Sequence, residues 1–437
     1  MENEKNKAVH RFLQLGDGPA LRALCNDWMA CAASKACYRG AAVIQPVSDE
    51  QRQVIENNGG YALYTTGIGK NGRADKKDVS CIGNAFQPEK WDDVLTYAST
   101  AGFDYILTDM SDAPACASKN DDRAHPRSLA GRVTSLLYNR YLNGLNGVTI
   151  FCFEPVQDNA KRLQLAVMGL SMSWGLPDGF LRWLMKQNTF LSCYTDRVVK
   201  TVKETETNNV VLCAEGFGRI YVDNSSVPPF LQPMMDVGKE LIVRQGVYPH
   251  FIEEQAIWRM MLYASAVLAG ALGLPFVASA VEDDVLRGWI GHMMLDEYLN
   301  DHKDHTALLS VATGVERLEN VFYQEAPEAL ALDTFTFLRS MLFPFIKDRL
   351  TTGRPCRRMV FLMALMIIEG IRKKEKRFHA LSSDMEPESL AYAVLSDEAL
   401  WGEDLRTIDA LEPMMSAAFR DLQLLGIRTS VLAMEEG

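Results

Sequence analysis

No two cysteines in this 437-residue chain stand in a C-x-x-C pair, and the nine present, at 25, 31, 37, 81, 116, 152, 193, 213 and 356, are odd in number. That pattern argues against a disulfide framework and for reduced thiols in a cytoplasmic compartment. The spacing Cys25, Cys31, Cys37 matches no usual zinc pattern, and no metal is expected there. The first residues, MENEKNKAVHRFLQLG, lack an apolar core and a small-residue cleavage site, which excludes a secretion signal. Positive charge is also in short supply, with Lys and Arg at 45 against Asp and Glu at 56, a formal net charge of −11. A negative average field repels phosphate backbones and anionic lipid, so neither nucleic acid nor a membrane surface is an expected partner. One charge-free run, Met260 to Val281, reaches the length of a membrane span. It contains Gly270, Gly273 and Pro275 and has no second span beside it, so it reads as a buried helix followed by a turn.

What the chain has is apolar residues in regular order, 48% of the total against 23% charged. That is enough for large cores, and the length suggests two domains. Val9 to Leu15 is strand-like, and Leu21, Leu24, Cys25, Trp28, Met29 and Ala32 then recur at helical spacing. Ala41 to Gln45 reads as a short buried strand. Further strands are expected at 61–68, 103–109 and 148–154, with helices near 88–100, 128–142 and 157–173. This alternation predicts βαβ units and an α/β, Rossmann-like domain with a mainly parallel sheet over residues 1–235. Lys203 to Asn209 reads as a surface loop and Val210 to Val222 as extended chain. From 236 to 437 long apolar-periodic segments dominate, at 252–271, 282–300, 327–350 and 356–373, and predict a mainly α-helical domain.

Between the first strand and the first helix stand Gly16 and Gly18, in the first two places of G-x-G-x-x-G, with Leu21 in the third. Glycines there let a backbone approach a pyrophosphate, and the helix N-terminus attracts its charge. A ligand-free strand-to-helix turn is the plain alternative. Gln45 ends the second strand, where many dinucleotide folds carry an acid for the ribose, so NAD and NADP both stay open.

These residues carry a resemblance. Leu13 to Met29, with Gly16, Gly18, Leu21, Arg22, Ala23, Asp27, Trp28 and Met29, is similar to the opening motif of the tagaturonate reductase (altronate oxidoreductase) and mannitol dehydrogenase family, and Val43-Ile44-Gln45-Pro46 resembles its V-V-Q-P. Thr108-Asp109-Met110-Ser111-Asp112-Ala113 stands where that family has S-N-T-T-E-A. The likeness continues through Ser128 to Leu142, Glu154 to Asn159, and Trp174 to Val199. The resemblance implies NAD as cofactor and a keto sugar acid or polyol as substrate. It places Gly16, Gly18, Arg22, Gln45, Thr108, Asp109 and Asp112 around the cofactor, and Asn159, Asp196 and Arg197 at the substrate pocket.

In the second half, Pro249 to Tyr263 lies without a gap on the family's catalytic segment. There the family implies a lysine base, an asparagine and a histidine, and this chain has Glu254, Arg259 and Leu262. A later motif is met by Arg317-Leu318-Glu319-Asn320-Val321, with Glu325 in place of a histidine. Glu254 is a candidate base, and Arg259 a candidate partner for an oxyanion or a sugar-acid carboxylate. Leu262 does neither. An oxidoreductase with altered catalytic residues, a ligand-binding protein without turnover, and a structural or regulatory relative all remain open. Asp196-Arg197 has a second reading as a structural ion pair. His302 and His305 read as a solvated loop, and Arg372 to Arg377 as the charged end of a helix.

Overall fold

The first strand, β1 (Ala8–Leu15), carries Phe12, Leu13 and Leu15 buried on both faces, as a central strand covered by helices on each side requires. The computed structural model describes residues 7–16, 18–43, 61–66, 74–109, 121–203, 210–299, 305–330, 333–354 and 356–436. The chain divides into two compact units between Phe251 and Ile252.

In the first unit, a π-helical turn (Leu21–Cys25) leads into α1 (Asn26–Cys31), and β2 (Ala36–Val43) returns parallel to β1. Then come β3 (Tyr61–Thr66), β4 (Ala74–Val79), β5 (Ile82–Phe86), α2 (Trp91–Ala101) and β6 (Tyr105–Thr108), the last parallel to β1 on its other side. They are followed by α3 (Leu129–Leu142), β7 (Thr149–Cys152), α4 (Asn159–Ser173), α5 (Asp178–Gln187) and β8 (Thr189–Asp196). Four further strands, β9 (Val199–Lys203), β10 (Val210–Ala214), β11 (Arg219–Val222) and β12 (Glu240–Val243), complete the strands of the unit among the described residues. The main sheet has the order β12-β11-β8-β7-β6-β1-β2-β5, and only the β8–β11 pair within it is antiparallel. A smaller sheet has the order β4-β3-β10-β9.

Side chains alternate along a strand, so each face of the sheet gathers its own core. Phe12, Leu107, Phe151 and Cys193 enter one core; Leu13, Leu15, Ile106 and Ile150 enter the other. Full burial of each such aliphatic side chain stabilises by about 1.5–3 kcal/mol before the cost of ordering it. On the first face Phe230 lies against His10, Phe12, Tyr38, Tyr105 and Phe151, with ring centroids 4.6–6.0 Å apart. Its carbonyl accepts from the Tyr38 hydroxyl at 2.7 Å. On the second face α3 begins where Ser128, held by the Asp121 carboxylate, accepts from the Gly131 N–H.

From Ile252 onward the described residues form helices and turns and no strand. The helix α7, numbered after the short α6 (Gln232–Met235), spans Tyr248–Ala271; its first turn belongs to the sheet unit and the rest to the helical one. The charge-free run from Met260 divides at Gly273, whose φ of 65° suits a residue without a Cβ. No helix among the described residues is long and apolar enough to cross a membrane. The helix Arg357–Arg372 is buried along most of its length, and its first N–H groups, those of Arg358 and Met359, donate to the Glu297 carboxylate at 2.7 and 2.9 Å. Burial nevertheless holds the Glu297 carboxyl above its usual range.

Several expectations shift in detail. The division at Phe251/Ile252 lies past the boundary read at 235, because β12 is a strand of the main sheet too short to show a pattern. The helix expected at 282–300 is a capped helix, Asp284–His292, continued by a π-helical stretch, Met293–Leu299. The one expected at 327–350 is a series of short pieces, with a π turn at Leu338–Leu342 before Phe343–Thr351.

Candidate dinucleotide site

β1 is the point at which the strand order reverses: the chain first builds outward through β2 to β5, then crosses back and builds outward through β6, β7 and β8. In open parallel sheets the crevice beyond the carboxyl ends of strands at such a reversal is where ligands bind. Gly16 leaves β1 there with a φ of 100°, a conformation that glycine adopts without strain, and its N–H donates to the Val43 carbonyl at 3.0 Å. The turn is braced from below. Gln14, wholly buried, donates from Nε2 to the Gly16 carbonyl at 2.8 Å and accepts at Oε1 from the Asn26 side-chain amide at 3.1 Å. The helix begins just beyond Gly18, whose carbonyl accepts from the Leu21 and Arg22 N–H groups. Leu21, in the third glycine's place, is buried at the start of the π turn. Arg22 is half-buried on the same turn.

Thr108 and Asp109 lie at the end of β6, and both are buried. The Thr108 hydroxyl donates to Glu154 Oε2 at 2.9 Å, and the Asp109 N–H donates to the Leu15 carbonyl at 3.1 Å. The Asp109 carboxylate turns toward the glycine loop and accepts from the Leu21 N–H. Gln45 and Asp112 lie outside the described residues. Burial and the nearby Glu154 hold the Cys152 thiol well above its ordinary value, and burial does the same to Cys193.

The residues expected at the substrate pocket are occupied otherwise. The Asn159 side-chain amide donates to the carbonyls of Cys152, Glu154 and Cys193 at 2.8, 2.9 and 3.1 Å, and its Oδ1 accepts from the Ala160 N–H. Arg197 donates to Asp27 at 2.7 Å and to the carbonyls of Ala23 and Glu215. Asp196 is buried within the β8–β11 pair. In the described residues the Asn159 and Arg197 side chains join strands and helix of the sheet unit, and the ion-pair partner of Arg197 is Asp27 rather than its neighbour Asp196.

On α7, Glu254 is 7% exposed and Leu262 is buried, whereas Arg259 is exposed. Helical rotation of about 100° per residue sets Glu254 and Arg259 about 140° apart, so the two do not share a face. Trp258, one turn on from Glu254, lies under the Arg317 guanidinium at 3.7 Å and against Tyr323. His250 is beside Tyr221, His305 opens a helix, and His302 is outside the described residues.

Sequence reasoning passed over Gln14, Asn26 and Trp258 as supports. Gln14 did leave a signal, as the one amide in the apolar run Phe12 to Leu15.

Comparison with known proteins agrees with this architecture. The chain is 24% identical to an altronate oxidoreductase of Klebsiella pneumoniae (strain 342), with 96% of each chain covered. It is 21% identical to one of Bacillus subtilis (strain 168), covering 96% of this chain and 94% of the relative. Among solved structures, a D-sorbitol dehydrogenase in substrate-free form superposes with a TM-score of 0.72 at 14% identity, with 97% of each chain covered. A Pseudomonas fluorescens mannitol 2-dehydrogenase, solved as a ternary complex with NAD and D-mannitol, superposes with a TM-score of 0.66 at 14% identity, covering 98% of this chain and 95% of that one. Residues 11–231 match the family described as the mannitol dehydrogenase Rossmann domain, half of the whole length, and the chain therefore belongs to the mannitol dehydrogenase family.

Proposed function

We propose that this protein is a nicotinamide-dependent oxidoreductase acting on a CH–OH group of a polyol or sugar acid, with NAD(H) as the cofactor. The observation that carries the reading is the glycine turn at the strand-order reversal, with Gly16 at φ 100° and a helix opening immediately after Gly18. Those groups fit a dinucleotide: a bare backbone at Gly18, a helix that starts just beyond it with its positive end at the turn, and a turn fixed by Gln14 and Asn26. The full-length likeness to altronate oxidoreductases supports a sugar acid as substrate. Its free thiols fit a reduced, cytoplasmic setting.

When bound, the nicotinamide supplies or accepts the hydride. The chain's own residues must then hold the substrate and move the hydroxyl proton. Glu254 is the candidate for the proton, because it stands where the family resemblance places a lysine base and its carboxylate is shielded from water. Arg259 is the candidate for a substrate carboxylate, since a guanidinium forms two parallel bonds to such a group.

A second reading, binding without turnover, draws on α7 itself: Glu254 and Arg259 face different ways and Leu262 offers only hydrocarbon. One experiment separates the two. NADH is titrated by fluorescence, and its oxidation is then followed with tagaturonate, fructuronate and fructose. Oxidation that is lost in Glu254→Gln supports the enzyme; tight NADH binding with none of the three substrates consumed supports the second reading. Failure to bind NADH would sink both.

A further inference from the structure

Asp109 is a carboxylate at a place that attracts anions. The first N–H groups of a helix carry positive partial charge, and in this fold they face the phosphates of a dinucleotide. Here the Leu21 N–H already donates to Asp109 Oδ2 at 3.3 Å. The carboxylate also lies against the bare backbone of Gly18. A Cβ added there would overlap Asp109 Oδ2 and Cγ. The space that a missing side chain leaves for a ligand is therefore taken by this chain's own acid.

The contact is built in rather than superficial. Asp109 is 4% exposed, and its main chain is fixed by the bond from its N–H to the Leu15 carbonyl, one residue beyond the last β1–β6 pair, Leu15 with Thr108. Moving the backbone would open the sheet at its reversal point, so release has to come from rotation of the side chain. A phosphate brought to the same N–H would meet a like charge at contact range in a site shielded from water, where such repulsion is strong.

We propose that Asp109 is an internal anion seated in the phosphate place of the dinucleotide site, and that NAD(H) binds only by turning its carboxylate out. This rests on the nucleotide-binding reading above and adds to it a residue that sets affinity. The closed arrangement lowers apparent affinity by the fraction of molecules in which the Asp109 carboxylate is turned out. It acts on the pyrophosphate alone, so a ligand fragment without phosphate is indifferent to it.

The test compares wild type with Asp109→Asn, which keeps the shape and the acceptor for Leu21 and removes the charge, and with Asp109→Ser, which also clears the space. Calorimetric titration with NADH and separately with adenosine gives the affinities, and thermal melting shows that each variant is folded. The expected result is NADH affinity raised at least about tenfold in both variants, with adenosine affinity the same in all three proteins. Serine provides the comparison if the asparagine variant fails to fold. NADH affinity within about twofold of wild type, or weaker, in the folded variants overturns the proposal and leaves the nucleotide reading standing. Adenosine affinity rising in step with NADH also overturns it, since charge would not be the cause. No NADH binding by any of the three proteins removes both.

Discussion

Arg197 and Asp27, separated by most of the first unit in sequence, meet at 2.7 Å with both side chains almost wholly buried. The guanidinium leaves the end of β8 and reaches the first helix, where it also takes the Ala23 carbonyl. Removing one member of such a pair strands a charge away from water, at a cost of about 3–5 kcal/mol. Arg197→Met is therefore expected to lower the urea midpoint by that equivalent with an unchanged slope. Arg197→Met with Asp27→Leu should recover most of the loss, because no charge is then left unmatched. A loss below about 1 kcal/mol in the single variant would show the pair to be incidental.

The Gln14 brace separates stability from binding. Gln14→Leu leaves the Asn26 amide and the Gly16 carbonyl without their present partner, at about 1–3 kcal/mol. The double change Gln14→Leu with Asn26→Leu restores part of that stability, since the Asn26 amide is gone and only the Gly16 carbonyl is left without its partner. It does not restore the definition of the Gly16 turn. NADH affinity is expected to remain weakened in the double variant while the thermal midpoint recovers; affinity recovering together with the midpoint would show that the turn needs no brace.

Acid should loosen the sheet unit through His10. Burial lowers its pKa below 6.5, against a smaller raising effect of Asp104, and its Nε2 has no hydrogen-bond partner among the described residues. The ring is stacked on Tyr38 and lies near Tyr105 and Phe230. Below about pH 6.5 the unfolded chain takes up a proton that the folded chain resists, so stability falls with falling pH from that point down through the lowered folded value. His10→Phe, which cannot titrate, should show a shallower decline than wild type between pH 7 and pH 5. Parallel declines in chemical denaturation would remove His10 from the account.

The sequence showed the fold where the pattern is long and repeated. β1, α3, α4 and the parallel alternation are written in buried residues at regular spacing, and the glycine turn announces itself between them. It did not show β12, a four-residue strand whose identity comes from pairing with β11, nor the π-helical stretches, which share the side-chain chemistry of ordinary helix. The side-chain contacts of the candidate site were not legible. Whether a polar group such as that of Asn159 or Arg197 faces a ligand or a neighbouring carbonyl depends on contacts made across tens of residues. The seating of Asp109 against Gly18 was hidden for the same reason, since nothing local joins positions so far apart along the chain.

Phe230 touches the earliest strands of the chain and takes the hydroxyl of Tyr38 across nearly two hundred residues. During synthesis the nascent β1 and β2 must therefore wait, with one aromatic face bare, until the ribosome has delivered a residue close to the end of the sheet unit. A chain cut short before that phenylalanine would present to the cell a hydrophobic wound in place of a finished surface, a substrate for chaperones and proteases whatever the state of the glycine loop.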